Sequence, residues 1–269
     1  MIPAATGYVR PDSVEDAVAA LADPEAKLLA GGQSLLPLMK LRVVRPALLV
    51  DIGGLDLSGV SVEDGELRIG ALTTWAELAT AASLDRPALA GLADCARVIG
   101  DLQVRNRGTV GGSLAHADPS ADAPAALLAF GATVETRSPT GARSVPVSDF
   151  LVGPFMTALE PTEILTEIRL ATPEPGSGSA YEKVEHPASG FALVGACALV
   201  RPDGSDTVAL TGITAHAIAI EGDDVRAALE GLDIFGDDFA PADYRRHLAG
   251  VVAGRTLERA RARASEDAR

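Results

Sequence analysis

The sequence predicts an α+β fold built from three units. Its strand-period runs cluster together with helical stretches set between them, which is not the strict alternation of a doubly wound parallel sheet. A short buried strand followed by Gly53-Gly54 closes a first unit at residues 1–53. The stretch TPEPGSGS, residues 172–179, is the richest in Pro, Gly and Ser and separates a middle unit, 54–172, from a last one, 173–269.

In chain order, apolar Val14, Ala17, Val18 and Leu21 form one stripe of a helix over 12–22, with Asp12 or Ser13 as cap and Glu15 and Asp16 favouring its N-terminus. Residues 27–30 read as a strand, 35–42 as a helical turn carrying Lys40 and Arg42, and 47–52 as a buried strand. Segments 60–62 and 66–69 form a hairpin about Asp64-Gly65. Thr73, Thr74 and Glu77 supply a cap and an early acid for a helix reaching Ala82. A second helix spans 87–98 and a buried one 121–130. Strands follow on both sides of 139–141, the second including SVPVSDF, and another lies at EILTEIRL. Beyond the linker, SAYEKV, FALVGACALVR and TVALTGITAHAIAI are three strand-like runs. Helices are expected at 223–232 and 242–264, with the final ASEDAR frayed.

Composition excludes several classes. A net charge of −14 and a pI near 4.7 argue against a nucleic-acid surface. No apolar run approaches membrane-span length. MIPAATGYVRPDS lacks the basic and apolar regions of a secretory signal, so a cytoplasmic location is expected. Cys95 and Cys197, in the apolar contexts LADCARVI and VGACALV, are expected as buried thiols. Two thiols cannot hold an iron–sulfur cluster, so any such cluster belongs to another polypeptide.

Two Gly-Gly stretches carry the chemistry: LLAGGQSLLP over 28–37 and RGTVGGSLAH over 107–116. Without a Cβ, successive backbone N–H groups can face an anion, and Ser34, Thr109 and Ser113 add hydroxyl donors. Neither stretch is a P-loop or a G-x-G-x-x-G fingerprint. Each alone reads as a tight turn. Taken together, a pair of turns and a site for two phosphates stand on equal footing.

Ala30-Gly31-Gly32-Gln33-Ser34 and Thr109-Val110-Gly111-Gly112-Ser113 resemble the paired FAD loops of the flavoprotein subunit of molybdenum hydroxylases, the carbon monoxide dehydrogenase medium-chain and xanthine dehydrogenase type. In that family the loops read Ala-Gly-Gly-(His or Gln)-Ser and Thr-(Ile or Val)-Gly-Gly-(Asn or Ser). The resemblance extends through LLPLMKLRVVRP, QVRNRGTVGG, HADPSAD, GPFMTALEPTEILTEIRL, GFALVG and YRRHLA, nearly the whole chain. It implies a two-part FAD-binding fold of the PCMH/vanillyl-alcohol-oxidase type, with a C-terminal domain of antiparallel strands and helices covering the flavin. The implied function is an electron-transfer oxidoreductase subunit in a heterotrimer. A large partner carries molybdopterin and a small partner carries [2Fe–2S]. Electrons reach the flavin here and leave to an external acceptor such as NAD⁺, a quinone or O₂. FAD would be non-covalent, since no His or Cys stands at an evident attachment site. No side chain here is required as acid, base or nucleophile. The alternatives are a free-standing FAD-dependent oxidase or dehydrogenase on the same fold, or a non-catalytic assembly subunit.

Carried over residue by residue, the resemblance assigns cofactor binding to Leu28, Leu29, Ala30, Gly31, Gly32, Gln33, Ser34 and Leu35, and to Thr109, Val110, Gly111, Gly112 and Ser113. It adds Ile99, Asp122, Leu165, Lys183 and Phe191. A carboxylate at Asp122 suits a ribose hydroxyl, while its simpler role is a helix cap. Lys183 is a flavin-side group or a solvated strand residue. Phe191 is a shield for the ring or a core aromatic. His116 and Asp118 lack a third ligand at metal spacing, so no metal site is expected. Ser113 replaces the commoner Asn, and Asp101-Leu102 replaces His-Pro.

Overall fold

A computed structural model describes residues 2–222 and 224–267. The expected helix start at Asp223 and the fraying expected at Ala268 and Arg269 lie outside these residues. Among the described residues the helix Ala242–Asp267 continues through most of ASEDAR, where fraying was expected.

The N-terminal region forms a three-stranded parallel sheet in which Leu48–Asp51 lies between Gly7–Val9 and Ala26–Leu29. Helix Val14–Ala20 starts at Ser13, whose Oγ accepts the Asp16 N–H at 3.0 Å. Its Ala17, Val18 and Leu21 pack with Val50 and Ile52, and this core reaches Leu72 and Ile164 of the next region.

The middle region holds a five-stranded antiparallel sheet, ordered Val60–Glu63, Glu66–Gly70, Ile164–Ala171, Thr133–Ser138, Gly141–Pro146. Asp64 and Gly65 take φ 52° and 79°, the two positive values a tight hairpin turn needs. Thr74 and Glu77 form the reciprocal capping box of helix Trp75–Ala79, which ends before the expected Ala82. The 87–98 segment begins as a 3₁₀ turn, Pro87–Leu89, and continues as the helix Ala90–Val98. The buried helix is Asp122–Ala129.

Three expectations need correction. The second Gly-Gly stretch is not a loop but the first turn of helix Val110–His116. SVPVSDF does not stay extended, because Val147–Phe150 turns helical to bury Val147 and Phe150. The run TVALTGITAHAIAI breaks into Thr207–Thr211 and Ile218–Glu221 at Gly212, φ 83°.

The C-terminal region is a four-stranded antiparallel meander, Gly178–Glu185, Ala192–Val200, Thr207–Thr211, Ile218–Glu221. Both of its faces are covered, which explains the unbroken apolar run of Ala192–Val200. Val194, Ala196 and Ala198 meet Ala249, Val252, Ala253, Leu257 and Ala260 of the last helix. Cys197 and Leu199, on the other face, join the middle core with Leu92, Leu127 and Phe130. The last helix is also fastened to the middle region, where Arg263 Nη1 donates to Asp94 Oδ2 at 2.6 Å, and the same atom donates to the Ser179 carbonyl of the first strand of this sheet at 2.7 Å.

Candidate FAD site

Strand Ala26–Leu29 ends at the first Gly-Gly turn, which feeds helix Leu35–Lys40. A Cβ on Gly31 would overlap the Arg107 carbonyl and crowd Gly108, so glycine is what lets the two stretches lie against each other. Gly32 takes φ 73°, which turns the chain into the helix. Among the described residues, the backbone N–H groups of residues 31–34 have no acceptor within the protein. Ser34 makes no side-chain cap bond, leaving its hydroxyl for another partner.

The second stretch is fixed differently. Thr109 has extended backbone and caps the helix, its Oγ1 accepting the Gly112 N–H at 3.2 Å. The Gly111 N–H donates to Ala71 O at 2.9 Å, and a Cβ on Gly111 would strike the Ala71 backbone. Gly111 is therefore needed for packing at the end of the hairpin strand, while the half-buried Gly112 and Ser113 line the cleft, with a Cβ on Gly112 crowding Thr109 Oγ1.

Between the two stretches lies a cleft of about 730 Å³, within the range of small-molecule and cofactor sites. Of the residues assigned from sequence, it is lined by Leu28, Ala30, Gly31, Gly32, Gln33, Ser34 and Leu35, by Thr109, Gly111, Gly112 and Ser113, and by Ile99, Asp122, Leu165 and Phe191. Leu29, Val110 and Lys183 are not part of the lining. Val110 is in the middle core at 1% exposure. Phe191 is 43% exposed at the cleft, so it is not a core aromatic.

Asp122 is not a cap. The N-cap position is Ala121, and both Asp122 oxygens are engaged from the C-terminal sheet. Tyr181 Oη donates to Oδ1 at 2.5 Å, and Lys183 Nζ donates to Oδ2 at 3.1 Å and to Gly190 O at 2.8 Å. The Lys183 side chain is only 4% exposed, so it is not a solvated strand residue. Burial pushes the Asp122 carboxyl up, opposed by the Lys183 ammonium and the Tyr181 hydroxyl. Burial, followed by the Asp122 charge, pushes the Tyr181 phenol well above its ordinary range, so Tyr181 is the proton donor of the pair. Strand alternation places positions 181 and 183 on one face, a signal that could have joined Tyr181 to Lys183 in the sequence.

Sequence reasoning also missed part of the rim. His116 lines the cleft with its ring 5.2 Å from that of Phe155, which stands at φ 57° and 58% exposed. Glu163 lines it as well, pinned by Arg143 Nε at 2.7 Å and the Glu160 N–H at 3.0 Å. Lys27 is the Lys or Arg among the lining, against Asp118, Asp122, Glu160 and Glu163. An anionic ligand would therefore be held by backbone amides and hydroxyls more than by cationic side chains. The amides of residues 31–34, free of protein acceptors among the described residues, stand on a cleft also lined by Gly112 and Ser113.

The sequence pattern of the family described as FAD binding domain in molybdopterin dehydrogenase matches residues 4–173. The carbon monoxide dehydrogenase medium chain of Hydrogenophaga pseudoflava is 37% identical over 98% of this chain and 99% of its own. This chain belongs to the FAD-binding subunits of the molybdenum hydroxylases. Members of this flavoprotein oxidoreductase family at similar distance include the 6-hydroxypseudooxynicotine dehydrogenase complex subunit alpha of Paenarthrobacter nicotinovorans, 36% identical over 98% of this chain and 97% of its own. The fold agrees with that of the family. A solved carbon monoxide dehydrogenase from Hydrogenophaga pseudoflava superposes with a TM-score of 0.92 at 37% identity, covering 98% of this chain and 99% of that one. The α+β reading of the sequence holds. No described helix is long and apolar enough to cross a membrane.

Proposed function

We propose that this chain is the electron-transfer subunit of a molybdenum-containing hydroxylase or dehydrogenase. It accepts electrons from [2Fe–2S] clusters on a small partner, fed by a large molybdopterin partner, and delivers them to an external acceptor. The observation that supports this most is the abutment of the two Gly-Gly stretches over the cleft, with the amides of residues 31–34 lacking protein acceptors.

In this reading residues 1–53 and 54–172 hold one non-covalent FAD between them, and residues 173–269 cover its ring. The amides of residues 31–34 and the hydroxyls of Ser34 and Ser113 bind the phosphates, Asp122 meets a ribose hydroxyl, and Ile99, Leu165 and Phe191 flank the ring. Bound FAD would supply the redox chemistry, while the chain supplies binding, orientation and exclusion of water. The buried thiols of Cys95 and Cys197 suit a reducing, cytoplasmic setting.

The test has two stages. The purified chain should take up one FAD, released unmodified by acid. Mixed anaerobically with candidate hydroxylase substrates, the FAD-loaded chain should keep its oxidised spectrum, and adding the iron–sulfur and molybdenum subunits should let the right substrate bleach it. Fast bleaching by an organic substrate with this chain alone would overturn the relay in favour of a free-standing oxidase. A chain that takes up no FAD would favour an assembly subunit.

A further inference from the structure

The buried group that the cleft does not use directly is Lys183. Its ammonium joins two segments 61 and 7 residues away in sequence, the Asp122 carboxylate at 3.1 Å and the Gly190 carbonyl at 2.8 Å. Gly190 belongs to the turn that connects strands Gly178–Glu185 and Ala192–Val200. That turn is narrow: the His186 N–H donates to Phe191 O, and the Gly190 N–H to His186 O, each at 2.8 Å. Gly190 takes φ 71°, and Ser189, Gly190 and Phe191 all line the cleft. Apart from Lys183, the turn has few ties to the body. Phe191 is 43% exposed, the His186 ring packs on the half-exposed ring of Phe239 at 4.7 Å, and the strand after the turn starts with the Ala192 N–H donating to Ser120 O at 3.2 Å.

We propose that Lys183 is a positioning residue that holds the 186–191 turn, and with it Phe191, against the cleft by bridging the buried Asp122 to the Gly190 carbonyl. Charge and geometry both support it. A lysine at 4% side-chain exposure stays buried only if paired, and Asp122 at 6% is its partner. Tyr181 Oη fixes Asp122 from the same strand face, so the carboxylate cannot turn away from Lys183 without losing a 2.5 Å hydrogen bond. With the carboxylate fixed, the ammonium is fixed, and its remaining reach goes to the turn. Loss of the ammonium leaves the turn with its internal hydrogen bonds but without this anchor, so Phe191 no longer holds one place over the ligand. The role in retaining the cofactor rests on the FAD reading above; the tie itself does not.

The experiment is hydrogen exchange of peptides covering 186–191 in the full chain, with and without FAD, together with the rate of FAD dissociation. Lys183→Met should speed exchange in this segment roughly tenfold while distant segments stay near wild type, and FAD should leave about tenfold faster. Lys183→Arg should restore much of both. If Lys183→Met fails to fold because Asp122 is left as an unpaired buried charge, the pair Asp122→Asn with Lys183→Met removes that charge and should still show the fast turn. Asp122→Asn alone leaves the ammonium with a neutral partner in place of its carboxylate and should speed exchange in the turn, though less than Lys183→Met does. Wild-type exchange at 186–191 in both Lys183→Met variants would overturn the proposal, and fast exchange with unchanged FAD dissociation would overturn the role of the tie in retaining the cofactor. A wild-type chain that binds no FAD would sink the functional reading by itself, and fast exchange in Lys183→Met without FAD would still support the tie.

Discussion

The carbonyl of Arg107 occupies the space that a side chain on Gly31 would need. This contact sets the distance between the two Gly-Gly stretches, and it concerns backbone, which cannot step aside as a flexible side chain can. Gly31→Ala should therefore force the stretches apart. A loss of at least about tenfold in FAD affinity is expected, with a stability cost of roughly 1–3 kcal/mol. Calorimetric FAD titration and thermal melts check both. Unchanged FAD affinity in a folded Gly31→Ala protein would show that the abutment does not shape the site.

Gly111 should behave differently, because its crowding partner is Ala71 at the end of the hairpin strand rather than the other Gly-Gly stretch. Gly111→Val is expected to lower the melting temperature of the protein without FAD. Gly32→Val, strained at φ 73° and crowding Leu36, should lower both FAD uptake and the melting temperature. Equal melting temperatures for wild type and Gly111→Val would count against this division of labour.

Glu163 gives a pH prediction. Burial pushes its carboxyl up, but Arg143, Thr136 and the Glu160 N–H together overcome this and bring it from 4.5 to about 2. A carboxyl held low in the fold stabilises fully above its unfolded value near 4.5, and that contribution is lost as the pH falls toward 2. Glu163→Gln should cost about 2 kcal/mol at pH 7, a figure reduced for the half-exposed Arg143, and the difference from wild type should shrink between pH 4.5 and 2. Urea melts across this range test it. A constant gap down to pH 2 would show that the carboxylate's charge is not what matters.

Asp94 is 8% exposed in its side chain and meets Arg97 at 3.6 Å, Arg259 at 3.5 Å and Arg263 at 2.6 Å. Asp94→Ala leaves Arg263, 20% exposed, without its carboxylate and should cost about 3 kcal/mol. Because the pair joins the middle helix to the last one, the C-terminal helix should become the first site of proteolysis. Proteolysis that begins elsewhere in this variant would dissociate the cluster from helix docking.

Cys95 and Cys197 are buried, and burial pushes both thiols up. Neither should react with a thiol reagent in the folded chain, and both should react in denaturant. Fast labelling of the native protein would mean that the face of the C-terminal sheet opens readily.

Much of this fold was legible because the signals are local. Asp64-Gly65 specifies its hairpin, Thr74 with Glu77 specifies a helix start, and the apolar stripe from Val14 to Leu21 specifies a buried face. The helix Val110–His116 was hidden because Gly111 and Gly112 weaken its propensity, and only contact with Ala71 and the Thr109 cap secures it. The cleft residues of the two Gly-Gly stretches were legible through their pattern. The bonds among Asp122, Tyr181 and Lys183 were not, since they join a helix to a strand about 60 residues on and exist only once the sheet has docked.

The sheet itself extends the reach of that docking. Lys183 lies opposite Gly195 in the antiparallel ladder, and a Cβ on Gly195 would collide with the Tyr181 hydroxyl. An alanine there would displace the phenol from Asp122, then the carboxylate, then the ammonium that anchors the turn. Random mutagenesis selecting for altered flavin retention should therefore yield hits at position 195, inside a sheet and outside the cleft lining, which a search confined to ligand contacts would pass over.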